Sequence, residues 1–156
     1  MQSASTGSPW VRIIIVNYNS GALLSACIDS LAAQTMTDFE VVIVDNASSD
    51  GTPQRLRGRG DIVLLELPEN VGFSRGVNAG VAAGSAEAVV CLNDDTEPEP
   101  EFLERLVAPL REDPSVGAVA GLLLMPDRAL VDGFGIEVDA TLLGYNRLRG
   151  RRPDER

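Results

Sequence analysis

Two adjacent carboxylates, Asp94 and Asp95, follow Asn93 and the apolar run Ala88–Leu92. A carboxylate pair at a strand end offers oxygen ligands to a hard divalent cation. A cation held there neutralises a diphosphate, which is a good leaving group in sugar transfer. The competing reading is a solvated acidic turn that also caps the next helix, helped by Glu97, Glu99 and Glu101. Short acidic motifs match by chance often enough that the triplet alone does not decide between the two.

A second polar cluster, Asp45-Asn46-Ala47-Ser48-Ser49-Asp50-Gly51-Thr52, ends the apolar run before it. Asp, Asn, Ser and Gly make turns for local reasons. A carboxylate or amide at a strand end also accepts the imide N–H of uracil or thymine, so base recognition is the functional reading. A third cluster is Asn17-Tyr18-Asn19. Gly72, Gly76, Gly80 and Gly84 recur every fourth residue, and a bare glycine face lets a helix approach a sheet or a ligand closely. The chain contains neither GxGxxG nor GxxxxGK[ST], so dinucleotide and P-loop readings lack their signatures.

The elements that must carry these clusters alternate. Val11–Val16 is β-branched and almost wholly apolar, as expected of a strand covered on both faces. Leu23, Leu24, Cys27, Ile28 and Leu31 fall at helical spacing over residues 22–34, with Ser20 as the expected N-cap. Residues 39–44 read as a second strand. Thr52-Pro53 reads as N-cap and first position of a short helix reaching about Arg59. A third strand is expected over 61–67, a helix over 74–83, a fourth strand over 88–92, a helix over 100–111 and a fifth strand over 116–124. Weaker strand signals follow at 133–138 and 141–145. The alternation predicts an α/β fold built on a doubly wound, mostly parallel sheet. Such sheets bind ligands beyond the carboxyl ends of their strands, where the first, second and fourth strands here end in NYN, DNASSD and NDD.

The composition narrows the chemistry further. The chain has 156 residues and a net charge of −10, so one domain is expected and nucleic acid is an unfavourable partner. There is no His, which removes Ser-His-Asp triads and His-ligated zinc. Cys27 and Cys91 sit in apolar runs without motif spacing and read as buried, inert thiols of a reducing compartment. No signal peptide or membrane span is visible, so a cytoplasmic location is expected. All thirteen basic residues are Arg. Arg147, Arg149, Arg151 and Arg152 crowd the C-terminus, either as a solvated end or as a peripheral contact with the inner face of an anionic membrane.

Taken in order, the clusters resemble family-2 glycosyltransferases of the A-type, Rossmann-like fold. The residues that carry the resemblance are Ile13–Asn19, Val42–Thr52, Asn70-Val71-Gly72-Phe73 with Asn78, and Leu92–Thr96 with Pro98. The VNYN and DNASSDGT wording is most similar to the rhamnosyltransferase-like branch. The resemblance is strong over residues 11–124, the expected nucleotide-sugar-binding domain, and weak beyond. Residues 1–10 read as a disordered lead-in, and residues 125–156 as the start of an acceptor-side region with a basic tail.

The resemblance implies donor-site roles. Asn17, Tyr18 and Asn19 would lie against the base, with Asp45 and Asn46 at its edge. Gly72 and Asn78 would line the nucleotide-sugar site. Asp95 would coordinate Mg²⁺ or Mn²⁺ on the diphosphate, and Asp94 would face the ribose or the metal. Asn93 stands where the family's DXD motif has its first acid. Many members carry an Arg just before the helix Asn; Val77 is there in this chain, with Arg75 nearby. The implied donor is a dTDP- or UDP-sugar and the implied acceptor a glycan or a lipid-linked acceptor. The family's general base comes from the acceptor half, which is expected to be truncated or absent, so the catalytic base is unknown. A catalytically incomplete binding or assembly module of the same fold, its exposed sheet edge completed by a partner or a second copy, is the alternative. A nucleotidyltransferase is a third reading, weakened by the lack of a glycine-rich triphosphate loop after the first strand.

Overall fold

The computed structural model describes residues 8–138 and 144–154, which form two compact units, Met1–Glu101 and Phe102–Arg156. The first unit holds every residue singled out above as a donor-site candidate. Its elements are β1 (Val11–Asn17), α1 (Ala22–Ala32), β2 (Phe39–Asp45), α2 (Thr52–Leu56), β3 (Val63–Glu66), α3 (Phe73–Ala82) and β4 (Ala88–Leu92). All four strands are parallel, in the order β3-β2-β1-β4. The chain therefore winds outward from β1 to β3, then returns to place β4 on the other side of β1. The order reverses between β1 and β4, and that reversal opens a crevice at their carboxyl ends.

The apolar character of β1 follows from its place. Val11, Ile13, Ile14 and Ile15 are all at most 1% exposed. On one face, Ile28 and Leu31 of α1 line a small cavity with Phe39 and Val41 of β2. On the other, α3 packs on β1 and β2, where Ile14, Val42 and Val44 form a cluster with Val16, Leu65 and Leu67.

The four-residue glycine repeat serves that second face. A Cβ on Gly76 would lie 2.9 Å from a Val16 methyl carbon, and one on Gly80 would lie 2.7 Å from Ile14 Cγ2. The missing side chains let α3 sit directly on the sheet. Gly84 instead leaves room for the guanidinium of Arg12. Arg12 is buried in β1, pairs with Glu40 at 2.5 Å and donates to the Gly80 carbonyl at 3.4 Å near the end of α3. A buried charge persists when it is paired and hydrogen-bonded in this way.

Several expected boundaries shift for local reasons. Ser20 is not the helix cap: Gly21, at φ 50°, holds that position without a side-chain cap, and the Ser20 hydroxyl is engaged elsewhere. Thr52 is the first residue of α2 rather than its cap, because the Asp50 carboxylate accepts both its N–H and its hydroxyl. That helix ends at Leu56, short of Arg59.

Ser8 and Trp10, within the expected lead-in, are tied to Ser85 and Asp38 respectively; residues 1–7 lie outside the described residues. Among the described residues, no helix is long and apolar enough to cross a membrane.

The second unit comprises α4 (Phe102–Glu112), β5 (Leu123–Leu124), β6 (Val131–Gly133), β7 (Ile136–Val138) and β8 (Gly144–Asn146). The expected strand over 116–124 shrinks to β5, which pairs antiparallel with β6. Residues 116–122 read V-G-A-V-A-G-L, and glycine and alanine give a strand little to pack. β7 and β8 form an antiparallel pair, and residues 141–143 of the last expected strand lie outside the described residues. Two basic residues near the C-terminus engage this unit itself: Arg147 stacks over Phe134 and Arg149 pairs with Asp132 at 3.4 Å.

Cys91 corrects the expectation of two buried thiols. Cys27 is buried, but Cys91 is exposed, as is Val89 on the same face of β4. The cause is register: β4 flanks β1, while α3 covers β1 and β2. Burial, reinforced by the carboxylates of Asp94, Asp95 and Glu97, pushes the Cys27 thiol up to about 11. It therefore stays protonated and unreactive at neutral pH. Iodoacetamide at pH 8 is expected to modify Cys91 and spare Cys27 in the folded protein, with both labelled in denaturant. Equal labelling of the two in the native state, read by peptide mass, would contradict this placement.

Candidate functional site: the crevice between β1 and β4

Three loops meet at the carboxyl edge of the sheet, and hydrogen bonds weld them into one network. Asn17, the last residue of β1, is fully buried. Its side-chain amide donates to Asp45 Oδ1 at 2.6 Å and to Ser48 Oγ at 2.9 Å. Asp45, 2% exposed, accepts the Ser48 N–H on its other oxygen at 3.0 Å. The loops are crossed a second time by Asn19, whose N–H donates to Ser48 Oγ and whose Oδ1 accepts the Ser49 N–H.

Asn19 and Ala47 both adopt left-handed backbone, at φ 58° and 62°. Asn tolerates that region and Ala does not readily. Ala47 is the more strained, and its strain lies where ligand-binding loops commonly store it.

Asn46 commits both ends of its amide to the segment that leads into α3. Its Nδ2 donates to Asn70 Oδ1 at 2.9 Å, and its Oδ1 accepts the Val71 N–H at 2.8 Å. Asn70 Oδ1 also accepts the Gly72 N–H. Gly72, at φ 82°, caps α3 in a conformation that L side chains rarely adopt. Asn78 is exposed on α3, two residues from each of the sheet-facing Gly76 and Gly80. Among the described residues no hydrogen bond joins it to the network.

Across the crevice stands the turn after β4. The Asn93 carbonyl accepts the Thr96 hydroxyl at 2.7 Å and the Cys27 thiol at 3.7 Å, which fixes the turn at its base. Asp94 is half-buried and accepts the Ser20 hydroxyl on Oδ2. Asp95 is exposed. Tyr18 is 52% exposed beside the end of β1, so its ring face is available for stacking.

The site thus sorts into two kinds of residue. Asn17, Asp45 and Asn46 are buried and bonded to protein. Tyr18, Gly72 and Asp95 are exposed and Asp94 is half-buried, each in a segment that follows a strand's carboxyl end. Ser20, Ser48 and Asn70 take part in the network although their residue types announce only capping and turn chemistry.

The donor set fits a hard cation. Asp94 and Asp95 supply only oxygen, and their negative field is felt at the Cys27 thiol. Among the described residues no three acidic, His or Cys side chains cluster to form a closed metal cage. Mg²⁺-type ions bind one or two carboxylates and take their other ligands from water and substrate phosphates.

Fold and site together define a doubly wound, parallel α/β domain with a polar, acid-bearing crevice at its switch point. The family model for glycosyl transferase family 2 matches residues 12–129, and the chain belongs to that family. An uncharacterized glycosyltransferase from a Nostoc species is 34% identical over 113 residues, which cover 70% of this chain and 35% of the relative. A mannosyltransferase from Pyrobaculum calidifontis, solved in complex with GDP-Man and Mn²⁺, superposes with a TM-score of 0.66 at 28% identity, covering 80% of this chain and 40% of that one. TarS 1-349 of S. aureus, solved in complex with UDP-GlcNAc, gives 0.59 at 28% identity, covering 65% and 31% respectively. The fold is that of the A-type nucleotide-sugar transferases. The chain spans about a third of the length of the curated relatives it matches.

Proposed function

We propose that this chain is the donor-binding domain of an inverting glycosyltransferase, holding a nucleotide-diphosphate sugar through Mg²⁺ or Mn²⁺. The observation that carries the reading is the pairing of the two sides of the crevice. One wall ends in a buried Asn17–Asp45–Ser48 network beside the exposed Tyr18 ring. The other ends in the carboxylates of Asp94 and Asp95. A nucleotide-diphosphate sugar presents its groups in the matching order, with a flat base at one end and a charged diphosphate between the nucleoside and the sugar. The mannosyltransferase solved with GDP-Man and Mn²⁺ supports both the ligand class and the metal.

In this reading Tyr18 stacks on the base, with the backbone of Asn17 and Asn19 beside it and Asp45 at its edge. Asn46 shapes the Asn70–Gly72 turn that closes the pocket, and Asn78 extends the site along α3. Asp95 is the leading metal ligand, with Asp94 facing the ribose or the metal. The bound cation offsets charge on the departing diphosphate. The acceptor is a glycan or a lipid-linked hydroxyl compound. Its oxygen attacks the anomeric carbon as the bond to the diphosphate breaks. The proton goes to a base that is not assigned to a residue of this chain. The rhamnosyltransferase-like wording of the first two motifs favours a deoxyhexose such as rhamnose on dTDP or UDP.

A competition series tests the base pocket. UDP, dTDP, GDP and inorganic pyrophosphate would each displace a fluorescent nucleotide at saturating Mn²⁺. UDP or dTDP is expected to compete at least about tenfold better than pyrophosphate, the equivalent of roughly 1.4 kcal/mol from base contacts. Pyrophosphate matching every nucleotide would remove the base-recognition reading and leave a bare anion site.

A further inference from the structure

The hydroxyl of Ser20 stands where a helix cap would be expected, yet it does not cap α1. No side chain caps that helix. The hydroxyl reaches across the switch-point crevice and donates to Oδ2 of Asp94. Ser20 is itself held from the other side, because its N–H donates to Asn17 Oδ1 at 3.4 Å. Asn17 in turn donates to Asp45. A continuous path of side-chain and backbone hydrogen bonds thus runs Asp45–Asn17–Ser20–Asp94, from the end of β2 through β1 to the turn after β4.

We infer that Ser20 is the positioning residue for Asp94: it fixes one carboxylate oxygen and leaves the other, Oδ1, turned to the ligand. This rests on the donor-site reading above and adds a division of labour to it. Asp94 is set in place before the ligand arrives, whereas Asp95 is exposed and takes its orientation from the ligand. A carboxylate in a single rotamer loses less freedom on binding than a mobile one. Partners that orient metal-site carboxylates typically contribute 10–100-fold in affinity. With Asp94 facing the metal, the effect belongs to the metal-supported part of binding, because the Ser20 hydroxyl bonds Asp94, whereas its link to the base-side Asn17 runs through the backbone N–H, which Ser20→Ala keeps.

The test uses the full 156-residue chain, with UDP as probe, titrated in Mn²⁺ and again in EDTA. Wild type, Ser20→Ala, Ser20→Thr and Asp95→Ala are compared, each with its melting temperature. Ser20→Ala is expected to lose about tenfold in UDP affinity in Mn²⁺ and to match wild type within about twofold in EDTA. Ser20→Thr keeps the hydroxyl and is expected to recover the loss.

Three outcomes overturn the inference while leaving the donor-site reading standing: Ser20→Ala equal to wild type in Mn²⁺, equal losses with and without metal, or Ser20→Thr as defective as Ser20→Ala. If wild-type UDP affinity does not respond to Mn²⁺, or Asp95→Ala binds as wild type does, the metal-site reading falls and this inference falls with it.

Discussion

Replacing Asp95 with Ala is expected to abolish metal-dependent binding of nucleoside diphosphates while leaving the fold intact. Asp95 is exposed, and surface substitutions of this kind usually change stability by no more than about 0.5 kcal/mol. The turn that carries it is anchored elsewhere, through the Asn93 carbonyl and the Ser20–Asp94 bond. Loss of a supporting partner at a metal site typically costs 10–100-fold in affinity, so loss of a ligand itself should cost on the order of 100-fold or more. Free Mn²⁺ counted by electron paramagnetic resonance in the presence of UDP gives the answer directly. Wild type is expected to take up the ion and Asp95→Ala to leave it in solution, with superimposable melting curves. Retention of Mn²⁺ by the variant would transfer the ligand role away from Asp95.

The second large effect is on stability and comes from Gly80. A Cβ there would sit 2.7 Å from Ile14 Cγ2 and 3.0 Å from both Ile14 Cδ1 and Val44 Cγ2. Two opposed terms decide the sign. Gly→Ala in a helix gains roughly 1 kcal/mol of propensity, while overpacking a dense core costs about 1–3 kcal/mol. The 2.7 Å contact is closer than real Cβ atoms adopt, and all three contacts fall on buried strand side chains. Gly80→Ala should therefore be mildly destabilising. Gly80→Val adds two further methyl groups and reaches the top of that range, about 3 kcal/mol, which lowers the melting temperature by roughly 6–12 °C for a chain of this size. Ala82→Val, at an exposed position of the same helix, is the control and should melt close to wild type. Gly80→Val melting within about 2 °C of wild type would show that α3 does not bear on the sheet as described.

Much of this was legible in the sequence because each signal had one dominant physical cause. Val11–Val16 is nearly all apolar because β1 lies between two neighbours and is covered on both faces. The glycine repeat was ambiguous between packing and ligand approach, and Gly76 and Gly80 resolve it in favour of packing. Ala88–Leu92 reads as a strand and is one, but its apolar character did not reveal that β4 leaves Val89 and Cys91 exposed. That depends on which strands α3 covers, a tertiary fact.

The residues missed at the site have a common explanation. Ser20, Ser48 and Asn70 are types that usually serve their own turn, and here each bridges to another loop. Local pattern cannot separate a serine that caps its helix from one that reaches a carboxylate 74 positions away. The left-handed Ala47 is equally silent, because nothing in its type marks the conformation. The strand expected over 116–124 shortens to Leu123–Leu124 for a different reason: Gly117 and Gly121 interrupt its apolar run and leave it little side chain to pack.

In the proposed function the β1–β4 crevice binds the diphosphate end of a nucleotide through a divalent ion. Calorimetric titration of UDP and dTDP into the wild-type chain, in Mn²⁺ and then in EDTA, tests it most directly. Saturable one-to-one binding is expected in Mn²⁺, weakening by at least about tenfold in EDTA, as when an ion bridges carboxylate and diphosphate. Absence of heat for both nucleotides at millimolar Mn²⁺, or affinity indifferent to EDTA, would contradict it.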